Sequence, residues 1–246
     1  MYADSASVLL DSIQAPDELT DKDFAHWCML CGKVTDEAAT GLLPIYQWQR
    51  AQQWFTEHGT AEEQAQIDLY LGRAYVEDGE YDKAMQIYAD ALQLAKEHQA
   101  YNVAGYICAY MADLYGFRDI TSECLKKREE ACEFFKKAEN YKSYAYSLKD
   151  LAGEWAILDS FACTIPLLQK ADSISQLLHN KNLTAAIANA FALIYEMQGK
   201  YNEAETAYLK AISTRSEESY KDSIGLLKVY ILKSASNLNG NLNCSK

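Results

Sequence analysis

Small residues return along this chain at a spacing of forty, and no other feature so narrows what it can fold into. Gly32, Gly72, Ala112, Ala152 and Ala192 form one series. Ala51, Ala91, Ala131, Ala171 and Ala211 form a second, and Ala25, Ala65, Gly105, Ala145, Ala185 and Gly225 a third. An aromatic series, Tyr75, Tyr115, Trp155 and Tyr195, keeps the same register. Small residues belong where two helix backbones approach closely, and large rings fill the groove beside them. A unit of this kind buries its apolar face only against its neighbours, so the chain must stack.

One copy shows the unit. Leu71-Gly72-Arg73-Ala74-Tyr75 has helical spacing, Asp78-Gly79-Glu80-Tyr81 breaks it, and Ala84, Tyr88 and Ala91 resume it. That describes two antiparallel helices joined by a tight turn. The pattern resembles the tetratricopeptide repeat (TPR), and the resemblance covers nearly the whole chain from Asp21 to Ser236. It implies an all-α fold, a right-handed TPR superhelix or alpha-alpha solenoid of about five helix-turn-helix repeats, with an N-terminal capping helix and an extra C-terminal helix. The basic TPR unit is about 34 residues, so about six are added per repeat. Their simplest place is the end of the second helix and the turn after it. Such lengthened repeats resemble those of bacterial regulatory and signalling TPR proteins.

The expected divisions are a capping helix in 1–19, repeats at 21–60, 61–100, 101–140, 141–180 and 181–218, a sixth first-helix at 219–236, and a polar tail at 237–246. Together 20–236 form the TPR array, expected as one elongated domain. Ser7 to Ile13 reads as the capping helix, ended before Pro16. Thr20 with Asp23 caps the next helix, and Thr60-Ala61-Glu62-Glu63 is a capping box. Pro44 and Pro166 are placed in the first turns of second helices, where a missing N–H costs little. The turn glycines Gly79 and Gly199 give way to Asp119 and Asp159, and Asp tolerates turn backbone. The end copies depart: Thr35 replaces the aromatic, and Leu232 replaces the small residue.

Composition removes several function classes. Three Pro, eleven Gly and no β-branched alternating runs favour helices over any sheet. A net charge of −12 opposes nucleic acid and anionic membrane as partners, since phosphate binding draws on Lys and Arg. No run of apolar residues is long enough to span a bilayer. Seven Cys, an odd number without framework spacing, point to reduced thiols and a cytoplasmic setting, with a periplasmic or cell-envelope setting if a leader has been removed. Cys28 and Cys31 form a lone CxxC inside a helix, half a zinc site at most, and packing explains them better. His58 and His98, forty apart, suit helix C-termini better than catalysis.

No nucleophile, phosphate-loop or zincin motif occurs, and Glu62-Glu63, Glu129-Glu130 and Glu217-Glu218 are solvated helix faces rather than acid/base pairs. The chain reads as no enzyme, with no cofactor and no metal. The resemblance puts the first helix of each pair on a concave groove. Reading that face by the period gives His26, Lys33, Gln66, Tyr70, Arg73, Tyr106, Tyr110, Asp113, Tyr146, Lys149, Asp150, Asn189 and Tyr230. Tyr70, Tyr106, Tyr110 and Tyr146 supply area with a polar tip, Arg73 and Lys149 a handle for a carboxylate, and Asp113, Asp150 and Asn189 polar contacts. The Lys/Asn clamp of chaperone-binding TPRs is absent, its places holding Met29, Leu69, Tyr70, Ala109 and Tyr110.

The expected function is therefore a non-catalytic protein- or peptide-binding scaffold, the docking or sensory module of a bacterial signalling or regulatory system. The alternative is a cell-envelope protein that binds a small ligand or glycan. Leu226, Leu227, Val229, Tyr230, Ile231 and Leu232 start a sixth helix without a partner, so the chain is expected to cover them by docking, by forming a homo-oligomer, or with a part of a longer protein.

Overall fold

The structure is a computed structural model that describes residues 2–38, 41–215 and 220–243. All regular structure among them is helical, with helices in consecutive packed pairs as in a TPR alpha-alpha solenoid. The chain divides into two compact units, Met1–Ala138 and Glu139–Lys246. In a stack each repeat touches only its neighbours, so no common core is required.

The first unit holds α1 (Tyr2–Asp11), a 3-10 turn at Pro16–Glu18, α2 (Asp21–Ala38), α3 (Ile45–His58), α4 (Ala61–Glu77), α5 (Tyr81–Glu97), α6 (Tyr101–Phe117) and α7 (Thr121–Lys137). The second holds α8 (Tyr141–Ile157), α9 (Phe161–Leu177), α10 (Lys181–Met197), α11 (Tyr201–Thr214) and α12 (Tyr220–Asn243). From α4 to α10 every helix is 17 residues long. The two halves of a repeat are equal, so the added residues do not collect in the second helix as expected.

What enforces equal halves is one turn, used after first and second helices alike. Residues with positive φ stand at Gly79, Gln99, Asp119, Glu139, Asp159, His179 and Gly199, twenty residues apart. At Gly79 the amides of Gly79 and Glu80 reach back to the carbonyls of Val76 and Tyr75 (3.1 and 2.8 Å), the Schellman closure. The same pair of bonds closes Gln99, Asp119, Asp159, His179 and Gly199. After first helices the bonded carbonyl belongs to the aromatic series, Tyr75, Tyr115, Trp155 and Tyr195. Glycine and aspartate mark these turns in the sequence; Gln99 and His179 do not, because their left-handed backbone is imposed by the closure.

The three small-residue series are buried where the helices meet. All five alanines of the 51–211 series have no exposed surface. Gly72 lies against the Tyr88 ring, Gly32 against Tyr70 and Gly105 against Phe135, each so close that a methyl group would overlap ring carbons. In the first unit Trp48, Phe55, Phe24 and Tyr70 build the core that α2, α3 and α4 share. In the second, Ala152, Leu168 and Ile194 join α8, α9 and α10, and Ala192, Tyr208 and Val229 join α10, α11 and α12.

Several boundaries move. The first helix runs over Tyr2–Asp11 rather than Ser7 to Ile13, and Leu10 packs on the core. Thr20 and Thr60 cap as expected, Thr60 with a complete capping box. Pro44 stands just before α3, but Pro166 is inside α9, past the turn whose amides lack helical acceptors. Helix α12 continues to Asn243, beyond Ser236: no proline interrupts the stretch, and one interior glycine costs only about 1 kcal/mol. Cys28 and Cys108 are fully buried, and burial raises both thiols, Cys108 to about 12.

Contacts at α12 differ from those of the regular first helices. Two second-helix rings stack on a tyrosine of the next first helix, Trp48 on Tyr70 (5.3 Å) and Tyr88 on Tyr110 (6.3 Å). Tyr208 lies against Gly225 instead, and Tyr230 is 43% exposed. Helix α11 is 14 residues long and is followed by extended backbone at Arg215.

Two outcomes follow. Gly72→Val forces the Tyr88 ring out of place and lowers the unfolding free energy by about 1–3 kcal/mol in chemical denaturation. Asp68 on α4, bonded by the Gln52 amide at 2.7 Å, has its carboxyl raised by burial from 3.8 to about 6. Its protonated form is favoured by folding, so its contribution is complete below pH 4 and lost as pH rises through about 6. Asp68→Asn is expected to flatten that loss, leaving the variant about 1–3 kcal/mol more stable than wild type at pH 7.

Candidate functional site

The residues expected along the groove fall into two clusters, one in each unit. In the first unit Tyr70 has no exposed surface, because Gly32 leaves a hole that its ring fills. Its hydroxyl donates to Asp36 Oδ2 at 2.9 Å. Tyr70 is therefore core, and its place in the expected binding set is corrected. Arg73 ion-pairs with Asp36 through Oδ1 and lays its guanidinium over the Tyr110 ring at 5.0 Å. Tyr110 is half-buried and stacks on Tyr88; burial pushes its phenol up to about 12 against the pull of Arg73. Tyr106 stands edge-on to Phe135 at 4.8 Å, and Asp113 accepts from Arg128 at 2.7 Å.

The cluster is thus an alternation of tyrosine faces with two arginine–aspartate pairs. One member of each pair was not expected. Asp36 stands in the column of Val76, Gly116, Ala156 and Glu196, and Arg128 in that of Trp48, Tyr88, Leu168 and Tyr208. A charge in an otherwise apolar column is the signal that finds Arg128, whereas Asp36 shares its column with a second carboxylate. Tyr88, on a second helix, stacks on Tyr110 beside this cluster, and its buried hydroxyl has no hydrogen-bond partner.

In the second unit Tyr146 on α8 is half-buried, its phenol raised by burial and opposed by the charge of Arg215. Lys149 pairs with the adjacent Asp150. Asn189 is already engaged: its amide donates to Asp222, which is 1% exposed and also accepts from Arg215 Nε at 3.1 Å. Asn189 and Arg215 hold α12 in place.

Four groove cations have a carboxylate of their own, Arg73 with Asp36, Arg128 with Asp113, Lys149 with Asp150 and Arg215 with Asp222. To engage a ligand carboxylate, Arg73 and Lys149 would first leave these pairs. His26 turns from the groove: its ring contacts Trp54 and Phe55, and Nδ1 lies 2.7 Å from the Lys22 carbonyl. Lys33 and Gln66 line a shallow cleft of about 260 Å³. Among the described residues no group of three His, Cys, Asp or Glu could hold a metal ion, and no helix is long and apolar enough to cross a membrane.

The chain matches family models for the tetratricopeptide repeat at residues 71–99 and 184–218. No characterised protein matches it by sequence. Solved structures share its fold. BtubC (BKLC) from P. vanneervenii is 15% identical with a TM-score of 0.64, covering 85% of this chain and 84% of its own. The apo form of RapI is 14% identical with a TM-score of 0.69, covering 96% and 68%. A signal transduction ATPase with numerous domains and a TPR sensor, from Pyrococcus horikoshii, is 14% identical with a TM-score of 0.61, covering 78% and 31%.

Asp222→Ala removes the carboxylate that holds Arg215 and Asn189. It is expected to lower the stability of the second unit by about 2–3 kcal/mol and to speed amide hydrogen exchange in α12 first.

Proposed function

We infer that this chain, a member of the tetratricopeptide-repeat family, is a non-catalytic scaffold that binds a protein or peptide partner through its tyrosine-faced inner surfaces. The observation that carries this is the first-unit cluster. Tyr106 and Tyr110 keep part of their surface exposed while packing fixes their rings, and the charges between them are already neutralised. Rings held in this way lose little entropy on binding, and paired charges offer hydrogen bonds without demanding an opposite charge. An extended peptide or a helix of mixed polarity fits that chemistry.

The finer role is the docking or sensory module of a bacterial signalling or regulatory system, working in the cytoplasm. Likeness in fold to the TPR sensor of a signal transduction ATPase supports it, as does the use of buried cysteines as ordinary packing residues. The competing reading, a cell-envelope protein for a small ligand or glycan, finds less support. The described clefts are shallow, about 180–370 Å³, at or below the lower end of the size range of small-molecule sites.

Affinity capture from cell extract with the wild-type chain beside Tyr106→Ala/Tyr110→Ala tests the proposal, with circular dichroism to show that the variant stays helical. A protein retained by the wild type and lost at least about tenfold by the variant is the expected result, two truncated anchors costing more than 1.4 kcal/mol. Equal retention by both removes the groove from the function.

A further inference from the structure

Among the described residues one side of α12 is exposed. Asp222, Gly225, Leu226 and Val229 seat α12 on α10 and α11. On the opposite side Ile224, Leu227 and Ile231 are 65%, 60% and 62% exposed. At about 100° per residue these three fall within roughly 60° of one another, a single aliphatic stripe. By the forty-residue period Leu227 shares a column with Ile67, Ile107, Ser147 and Ile187, and Ile231 one with Leu71, Met111 and Leu151, all of them buried. The stripe therefore lies on a face that the regular first helices bury.

We propose that this stripe is the seam of a homodimer in which α12 of a second copy packs antiparallel on α12. The pattern is its own complement. Leu227 has Ile224 three residues before it and Ile231 four after, so a two-fold crossing at Leu227 sets Ile224 against Ile231 of the partner subunit. The charges agree with a second copy as occupant. Lys228 is paired with Glu196, Lys233 with Glu205 at 2.5 Å, and Asp222 with Arg215, all within one chain. These three charges are thus satisfied within one chain. Elsewhere a chain of net charge −12 repels its copy; α12 carries three lysines against one aspartate, so the copies meet where that repulsion is least.

This inference does not depend on groove binding. Sedimentation velocity of the full chain over a wide concentration series, reaching high micromolar, tests it beside Leu227→Glu. A control, Ile157→Glu, places the same change at another exposed aliphatic position (71%). The expected result is a monomer–dimer equilibrium in wild type and control, with the midpoint shifted at least about tenfold upward by Leu227→Glu, since each seam loses its central side chain from both copies. In a Cys163→Ser background, Leu227→Cys is expected to form a disulfide-linked dimer under mild oxidation. A wild type that stays monomeric throughout, as it would if only a foreign helix covered the stripe, overturns the proposal. So does a dimer indifferent to Leu227→Glu, or failure of Leu227→Cys to cross-link.

Discussion

The contact on which the rest depends is that of a missing side chain with a ring. Gly72 under Tyr88, Gly32 under Tyr70 and Gly105 under Phe135 let helix backbones come close enough for aromatic side chains to fill the remaining groove completely. A second element works with it: the left-handed Schellman turn, which returns the chain at a constant length so that the next small residue arrives opposite the next ring. Close approach without the constant return would misalign within one repeat. The return without close approach would leave the rings in water.

The same two elements explain how the inner surfaces acquire their chemistry. Packing consumes the small-residue faces of each first helix, and what remains toward the groove is free to vary. In the first unit that freedom is spent on tyrosines separated by ion pairs. Arg128 enters a column that elsewhere holds apolar residues, Asp36 one that also holds Glu196, and the charges they bring find Asp113 and Arg73 rather than solvent. In the second unit the equivalent freedom is spent on attaching α12: Asn189 and Arg215 converge on Asp222, a carboxylate buried almost completely because both neighbours satisfy it. Positions that stay on the inner face in one unit serve as a fastening in the other.

Where the array departs from its period, the departure is local and has a local cause. Helix α11 stops three residues short of its predecessors, and extended backbone follows it at Arg215. Beyond it Asp222 is buried while Ile224, Leu227 and Ile231 are exposed.

The helical class, the pairing of helices, the small-residue contacts and the caps at Thr20 and Thr60 were all determined by the sequence alone, because each rests on residue type at short or strictly periodic spacing. Tertiary structure decided the rest. It made Tyr70 core by placing Gly32 beneath it, neutralised Arg73 and Lys149 with nearby carboxylates, turned His26 toward Trp54, and gave Gln99, Glu139 and His179 a backbone that their side chains do not request. The physical reason is the same in each case. Periodicity reports which face a residue occupies, whereas burial and charge pairing depend on the neighbour across the interface.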